Sequence, residues 1–205
     1  MTEIFVSYRR QDSMAYAGWV CDLLSQHLGA DSVFRDVDGI SPGEDFGQVI
    51  GDRLASCAVF LALIGPSWLN ARSGLRLRLF QPNDFVRLEI FIALNRQITV
   101  IPVLVEGARM PPARSLPESI VDLTKRNAFT ISEHRVHEEV AALAAMVKRS
   151  LADASSIDDG ALATERERVR ELINLVLRER RLRRRRRLIV AAWSAAGPLA
   201  AGVMT

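Results

Sequence analysis

The chain has 205 residues, 49% of them hydrophobic, which admits one domain of ordinary size plus an appendage and is ample for a core. Its net charge of +3 belongs to the tail: residues 1–150 hold 16 Lys/Arg and 17 Asp/Glu, whereas 151–205 hold 11 Arg and 7 acids. Cys21 and Cys57 sit in apolar runs, which reads as core of a reducing compartment and excludes a disulfide framework; the three histidines lack metal-ligand spacing.

A strand is expected almost at once after Glu3, and the first residues show no signal-peptide pattern. Ile4–Ser7 is the first strand. Asp12 is the expected cap of an amphipathic helix running to about Leu28, and Gly29 is its stop. Residues 32–35 form a second strand. Ser41-Pro42-Gly43-Glu44 has the capping-box pattern with Pro at the first helical position, so a helix is expected to about Ser56. Residues 58–64 form a continuous apolar strand, expected to be buried on both faces as in a parallel sheet. Residues 66–83 read as an irregular Arg-rich connection. A helix follows, capped by Asp84, and then a fourth strand over 98–105 in which Pro102 suggests a bulge or an edge. A Pro-rich loop over 109–117, a short strand over 128–131 and an amphipathic helix over 134–151 complete the domain. This alternation predicts a doubly wound α/β sheet, in which ligands bind at the carboxyl ends of the strands near a topological switch point. No G-x-G-x-x-G fingerprint or P-loop is present.

Glu89 is the anomaly. At helical spacing its neighbours are Phe85, Val86, Ile92 and Ala93, with no basic partner. Such a carboxylate either faces a cleft or lies at the helix edge bonded to a loop. Three segments converge on the carboxyl edge: Ser7-Tyr8-Arg9-Arg10, Asp36 to Phe46, and the first turns of the Glu89 helix.

In order and spacing these segments resemble a Toll/interleukin-1 receptor (TIR) domain over residues 1–151. Phe5-Val6-Ser7-Tyr8-Arg9-Arg10 resembles the family's first strand and loop. Val33 to Asp36 and on through Pro42-Gly43 resembles its second strand and BB loop, and Asp84-Phe85-Val86-Arg87-Leu88-Glu89 resembles the helix carrying the glutamate of bacterial NAD-cleaving members. The resemblance implies a flavodoxin-like five-stranded parallel sheet. It implies hydrolysis of NAD+ to nicotinamide and linear or cyclic ADP-ribose, with NAD+ as substrate, no cofactor and no metal. Glu89 is the implied catalytic residue. Phe5, Ser7, Tyr8, Arg9, Arg10, Asp36, Gly43 and Phe85 are the implied ligand-facing residues. Five of these have a plainer role open to them: a solvated pair for Arg9 and Arg10, core for Tyr8, a turn for Asp36 and a helix start for Gly43. Trp68 reads as packing. Many enzymatic members carry Trp where this chain has Phe85, which supplies an aromatic face but no indole donor. The resemblance also implies homo-oligomers in which one BB loop caps the neighbour's pocket. Two other readings stand beside the enzyme: a non-enzymatic TIR–TIR interaction module, and a nucleoside-deoxyribosyltransferase-like enzyme, against which the BB-loop pattern speaks.

Residues 152–161 read as a linker and 162–187 as a charged, Arg-rich amphipathic helix. Residues 188–204 carry no charge; as a helix they would span about 25 Å, slightly short of a ~30 Å hydrocarbon core. They are a candidate membrane anchor. With Arg183–Arg187 on the cytoplasmic side, the expectation is a cytoplasmic domain tethered to the cell membrane; the resemblance implies a role in signalling or antiphage defence. Nucleic acid is not an expected partner, because base-stacking aromatics are missing around the Arg run.

Overall fold

The computed structural model describes residues 4–35, 53–54, 56–81, 84–96 and 98–154, with positions 164, 167, 168 and 171. Its strands are β1 (Ile4–Ser7), β2 (Val33–Arg35), β3 (Val59–Ile64), β4 (Arg72–Ser73), β5 (Arg76–Leu77), β6 (Thr99–Leu104) and β7 (Phe129–Thr130). Its helices are α1 (Arg10–Leu28), α2 (Phe85–Asn95) and α3 (Val136–Ala154), with an eight-residue 3-10 helix over Glu118–Lys125. The main sheet is five-stranded and parallel, in the order β2-β1-β3-β6-β7. The order reverses between β1 and β3, so a switch point lies at their carboxyl ends.

The period-two alternation of the strands divides the core into two layers. Phe5, Phe60, Ala62, Ile64, Val100 and Leu104 face α2 and the Glu118–Lys125 helix. Ile4, Val6, Tyr8, Val59, Leu61, Leu63, Ile101 and Val103 face α1 and α3. All six residues of β3 are buried, as its unbroken apolar run predicts.

Four details differ from the sequence expectations. First, α1 is not capped by Asp12. It begins at Arg10 and kinks at Ser13 (φ −136°, ψ 26°), and the Asp12 carboxylate reaches across to the chain after β3. Second, Pro102 is neither at a bulge nor on an edge, since β6 is interior and Pro102 pairs in register with Ala62. Val105 N–H donates to Ile64 and Leu104 C=O accepts from Ile131, so even-numbered residues of β6 point their backbone polar groups toward β7. β7 meets β6 only at Val103 and Leu104, so the missing N–H of Pro102 points where no ladder partner is needed. Third, the connection after β3 contains a β4–β5 hairpin, turned at Gly74 with φ +61°, a left-handed conformation that glycine adopts without strain. Fourth, α3 continues to Ala154, three residues into the expected linker.

The expected helix over 42–56 lies largely outside the described residues. So do most of 152–187 and all of 188–204. Among the described residues, no helix is long and apolar enough to cross a membrane, and no group of three or more His, Cys, Asp or Glu could hold a metal ion.

Two polar anchors fix the ends of the layers. Arg96, 4% exposed at the end of α2, donates to the carbonyls of Leu54 and Cys57, tying that helix to the chain entering β3. Burial pushes the neighbouring Cys57 thiol up to about 11, against the opposing pull of Arg96. The thiol therefore stays protonated at neutral pH and behaves as a small core group. In the first turn of α3, Glu139 accepts hydrogen bonds from the backbone N–H and hydroxyl of Ser132, which precedes the helix, and from Arg135 at 2.8 Å. The Ser132 N–H is the main cause of a lowered Glu139 pKa.

A carboxylate whose folded-state pKa is depressed stabilises the fold above its unfolded pKa. That contribution is lost as pH falls through the folded value. Glu139→Gln is therefore expected to lower the thermal midpoint at pH 7, with the gap to the parent closing in acid below the ordinary glutamate range. Thermal melts of both proteins across pH check this; a gap that stays constant into acid would contradict it.

Candidate active site

β1 points Phe5 and Ser7 to the α2 side and Tyr8 to the opposite layer. Ser7, at the carboxyl end of β1, donates its hydroxyl to Glu89 Oε2 at 2.6 Å. Ser7 is 1% exposed and Glu89 0%. A carboxylate is thus held beneath the surface, one turn into a helix and against the strand that borders the switch point. Charge at such depth costs roughly several kcal/mol unless it is compensated.

The placement of α2 explains why Glu89 arrives there. Asp84 caps the helix by accepting from Arg87 N–H at 2.9 Å, as its position before the apolar run predicts. The same carboxylate receives both terminal nitrogens of Arg9 at 2.9 Å each, a bidentate pair buried on both sides. Arg78 Nε adds a longer contact to Asp84 at 3.6 Å. Arg9 also lies over the ring of Trp68, 5.6 Å from its centroid. The first loop of the chain is therefore bolted to the start of α2, and Glu89 lies five residues further along.

The loop after β3 is bolted to the same corner. Asp12 accepts from Gly65 N–H at 2.8 Å and Ser67 N–H at 2.7 Å. A Cβ on residue 65 would come within 2.6 Å of the Asp12 carboxylate, so a larger residue there would push that side chain away. Three buried donors around Arg9 find no hydrogen-bond partner among the described residues: Arg9 Nε, the Ser13 hydroxyl and Trp68 Nε1.

The nominated residues therefore separate. Glu89, Ser7 and Phe85 lie on the α2 side, Phe85 half-buried one turn before Glu89. Phe5 is fully buried beneath them, stacked on Phe60 (centroids 5.5 Å, 9°) and tilted against Phe34 (5.3 Å), so it forms the floor under the site. Tyr8 packs against α1 and α3, across the sheet from Glu89. Arg9 is not a solvated residue beside Arg10; its guanidinium is engaged by Asp84. Arg10 is exposed. Trp68 is 1% exposed and packs, as expected. Asp36 and Gly43 lie outside the described residues. The sequence pattern did not nominate Asp12 for this corner, because the residue also fits a helix-cap pattern.

A family model for the TIR domain matches residues 4–137. The chain belongs to the TIR family. Its parallel sheet and flanking helices are those the resemblance implied. Among solved structures, the chain is similar to the TIR domains in the structure of the activated Roq1 resistosome directly recognizing the pathogen effector XopQ. Identity is 14%, coverage is 84% of this chain and 99% of that one, and the TM-score is 0.44. No curated protein matches the chain.

Proposed function

We propose that this TIR domain hydrolyses NAD+ at the nicotinamide–ribose bond, with Glu89 as the catalytic carboxylate. The observation that carries this reading is Glu89 itself: an acid with no exposed surface, bonded to Ser7 at the carboxyl edge beside the switch point. A helix built only to pack would place an apolar residue there, because burying a carboxylate is costly.

The chemistry suits one carboxylate. Nicotinamide leaves as a neutral base, taking the electron pair of the N-glycosidic bond and losing the positive charge on its ring nitrogen. Water adds to the ribose carbon and releases a proton. The protein holds the ribose and stabilises an oxocarbenium-like transition state by charge and by hydrogen bonds to the hydroxyls. Ordinary glycosidases pair two carboxylates. Here the other acid of this helix, Asp84, is engaged by Arg9 and the helix N-terminus. Among the described residues, Arg10, exposed at the start of α1, is a cation on this edge that would meet the diphosphate.

The full burial of Glu89 has a consequence. NAD+ reaches the carboxylate only when the groups covering it move apart, so the closed arrangement is a resting one, and self-association of TIR domains is the event proposed to open it. Activity per molecule is expected to rise with protein concentration; specific activity that stays constant down to nanomolar protein would contradict this. The alternative, a non-enzymatic TIR–TIR interaction module, would leave the carboxylate closed and NAD+ intact. Incubating concentrated protein with NAD+ and resolving nicotinamide by chromatography separates the two.

A further inference from the structure

The β4–β5 hairpin contributes nothing to either core layer. It forms a separate two-stranded sheet, with Arg72 paired to Leu77 and Ser73 to Arg76. Leu75, at its turn, is 95% exposed, and Phe80 just beyond it is 49% exposed. Both are prominent among the large apolar side chains left open to solvent. Arg72, Arg76 and Arg78 surround them, and no Asp or Glu occurs between Gly65 and Asp84. Arg78 leans toward Asp84, which leaves Arg72 and Arg76, both exposed, as the cations beside the tip. Arg72 Nη1 also donates to the Leu75 carbonyl at 3.2 Å, and Gln81 reaches back to the carbonyls of Ser73 and Arg76, so the tip is held in shape from within.

We propose that this hairpin docks the TIR domain on an anionic lipid surface, with Leu75 entering the acyl boundary and Arg72 and Arg76 meeting the headgroup phosphates. An aliphatic tip ringed by guanidinium groups matches that partner in both chemistry and charge. The outermost residue is aliphatic Leu75, which suits an acyl boundary rather than base stacking, and the Phe80 ring is set back beyond the second strand and half-covered. Each arginine near such a surface changes partitioning roughly five-fold, so reversing two of them removes binding.

The test reads the hairpin itself in the full chain. Cys21 and Cys57 are buried, so a thiol-reactive, environment-sensitive dye on a Ser73→Cys variant reports position 73. Vesicles of phosphatidylserine in phosphatidylcholine are expected to shift its emission to the blue, and pure phosphatidylcholine vesicles are not. Arg72→Glu/Arg76→Glu in the labelled protein is expected to abolish the shift. Leu75→Ser is expected to reduce it while circular dichroism stays unchanged. No shift on anionic vesicles, an equal shift on neutral ones, persistence in the charge-reversed variant, or a response to oligonucleotide in place of vesicles would each overturn the proposal.

Discussion

Glu89→Gln is expected to end NAD+ consumption while leaving the domain folded. The substitution is isosteric and keeps an oxygen to accept the Ser7 hydroxyl, so the 2.6 Å contact and the helix register survive. What disappears is the negative charge facing the ribose in the transition state. Removing one preorganised electrostatic partner costs roughly 10²–10³ in kcat, about 3–4 kcal/mol. Folding should not suffer, because an amide is cheaper to bury than a carboxylate at a site with no exposed surface. The expected signature is a kcat loss of about two orders of magnitude or more together with an undiminished thermal midpoint. The readings are nicotinamide release by chromatography and a thermal melt on the same preparation. A Gln variant that cleaves NAD+ at the parental rate removes Glu89 from the mechanism. A variant that loses activity and also melts much earlier assigns the residue to structure instead.

Much of this site was legible in the residues. The unbroken apolar run of 59–64 requires a strand covered on both faces, and Asp84 before an apolar helical run requires a cap. Both follow from short-range rules that tertiary contacts had no reason to override. Glu89 stood out for the same reason, as an acid whose helical neighbours are all apolar. Arg9 and Asp12 were not legible. Arg9 pairs with a residue 75 positions away, and Asp12 binds amides 53 and 55 positions away. Nothing in local spacing distinguishes a guanidinium that meets solvent from one that meets a distant carboxylate. The β4–β5 hairpin was missed because its strands are two residues long and largely exposed, leaving no apolar alternation to read. Pro102 was misread because the rule against proline in a central strand assumes a partner on both sides along its whole length, whereas β7 covers only the end of β6.

Asp84→Ala is expected to be the most destabilising of the site variants, and Arg9→Met the milder of its pair. The two residues form one ion pair but are not equally supported. Without Arg9, the Asp84 carboxylate keeps the Arg87 N–H at 2.9 Å and the Arg78 guanidinium at 3.6 Å. Without Asp84, Arg9 is left 3% exposed with a buried charge and, among the described residues, the Trp68 face for company, and α2 loses its cap. Breaking a buried ion pair costs about 3–5 kcal/mol. The lost cap adds roughly 1 kcal/mol. The expected order in urea unfolding is therefore parent, Arg9→Met, Asp84→Ala, with the last near the top of that range or above it. Both variants should also lose NAD+ cleavage, since the pair joins β1 to the helix that carries Glu89, and a displacement of about 1 Å in a reacting geometry can cost roughly 10² in rate. Asp84→Asn distinguishes the two contributions: its amide oxygen can still accept the Arg87 N–H but no longer neutralises Arg9, so it should fall between the other two variants. If Arg9→Met unfolds at the parental urea midpoint, the buried pair contributes nothing to holding α2 against β1, and the position of Glu89 must rest on the apolar contacts of Val86, Ile90 and Ala93 with the sheet.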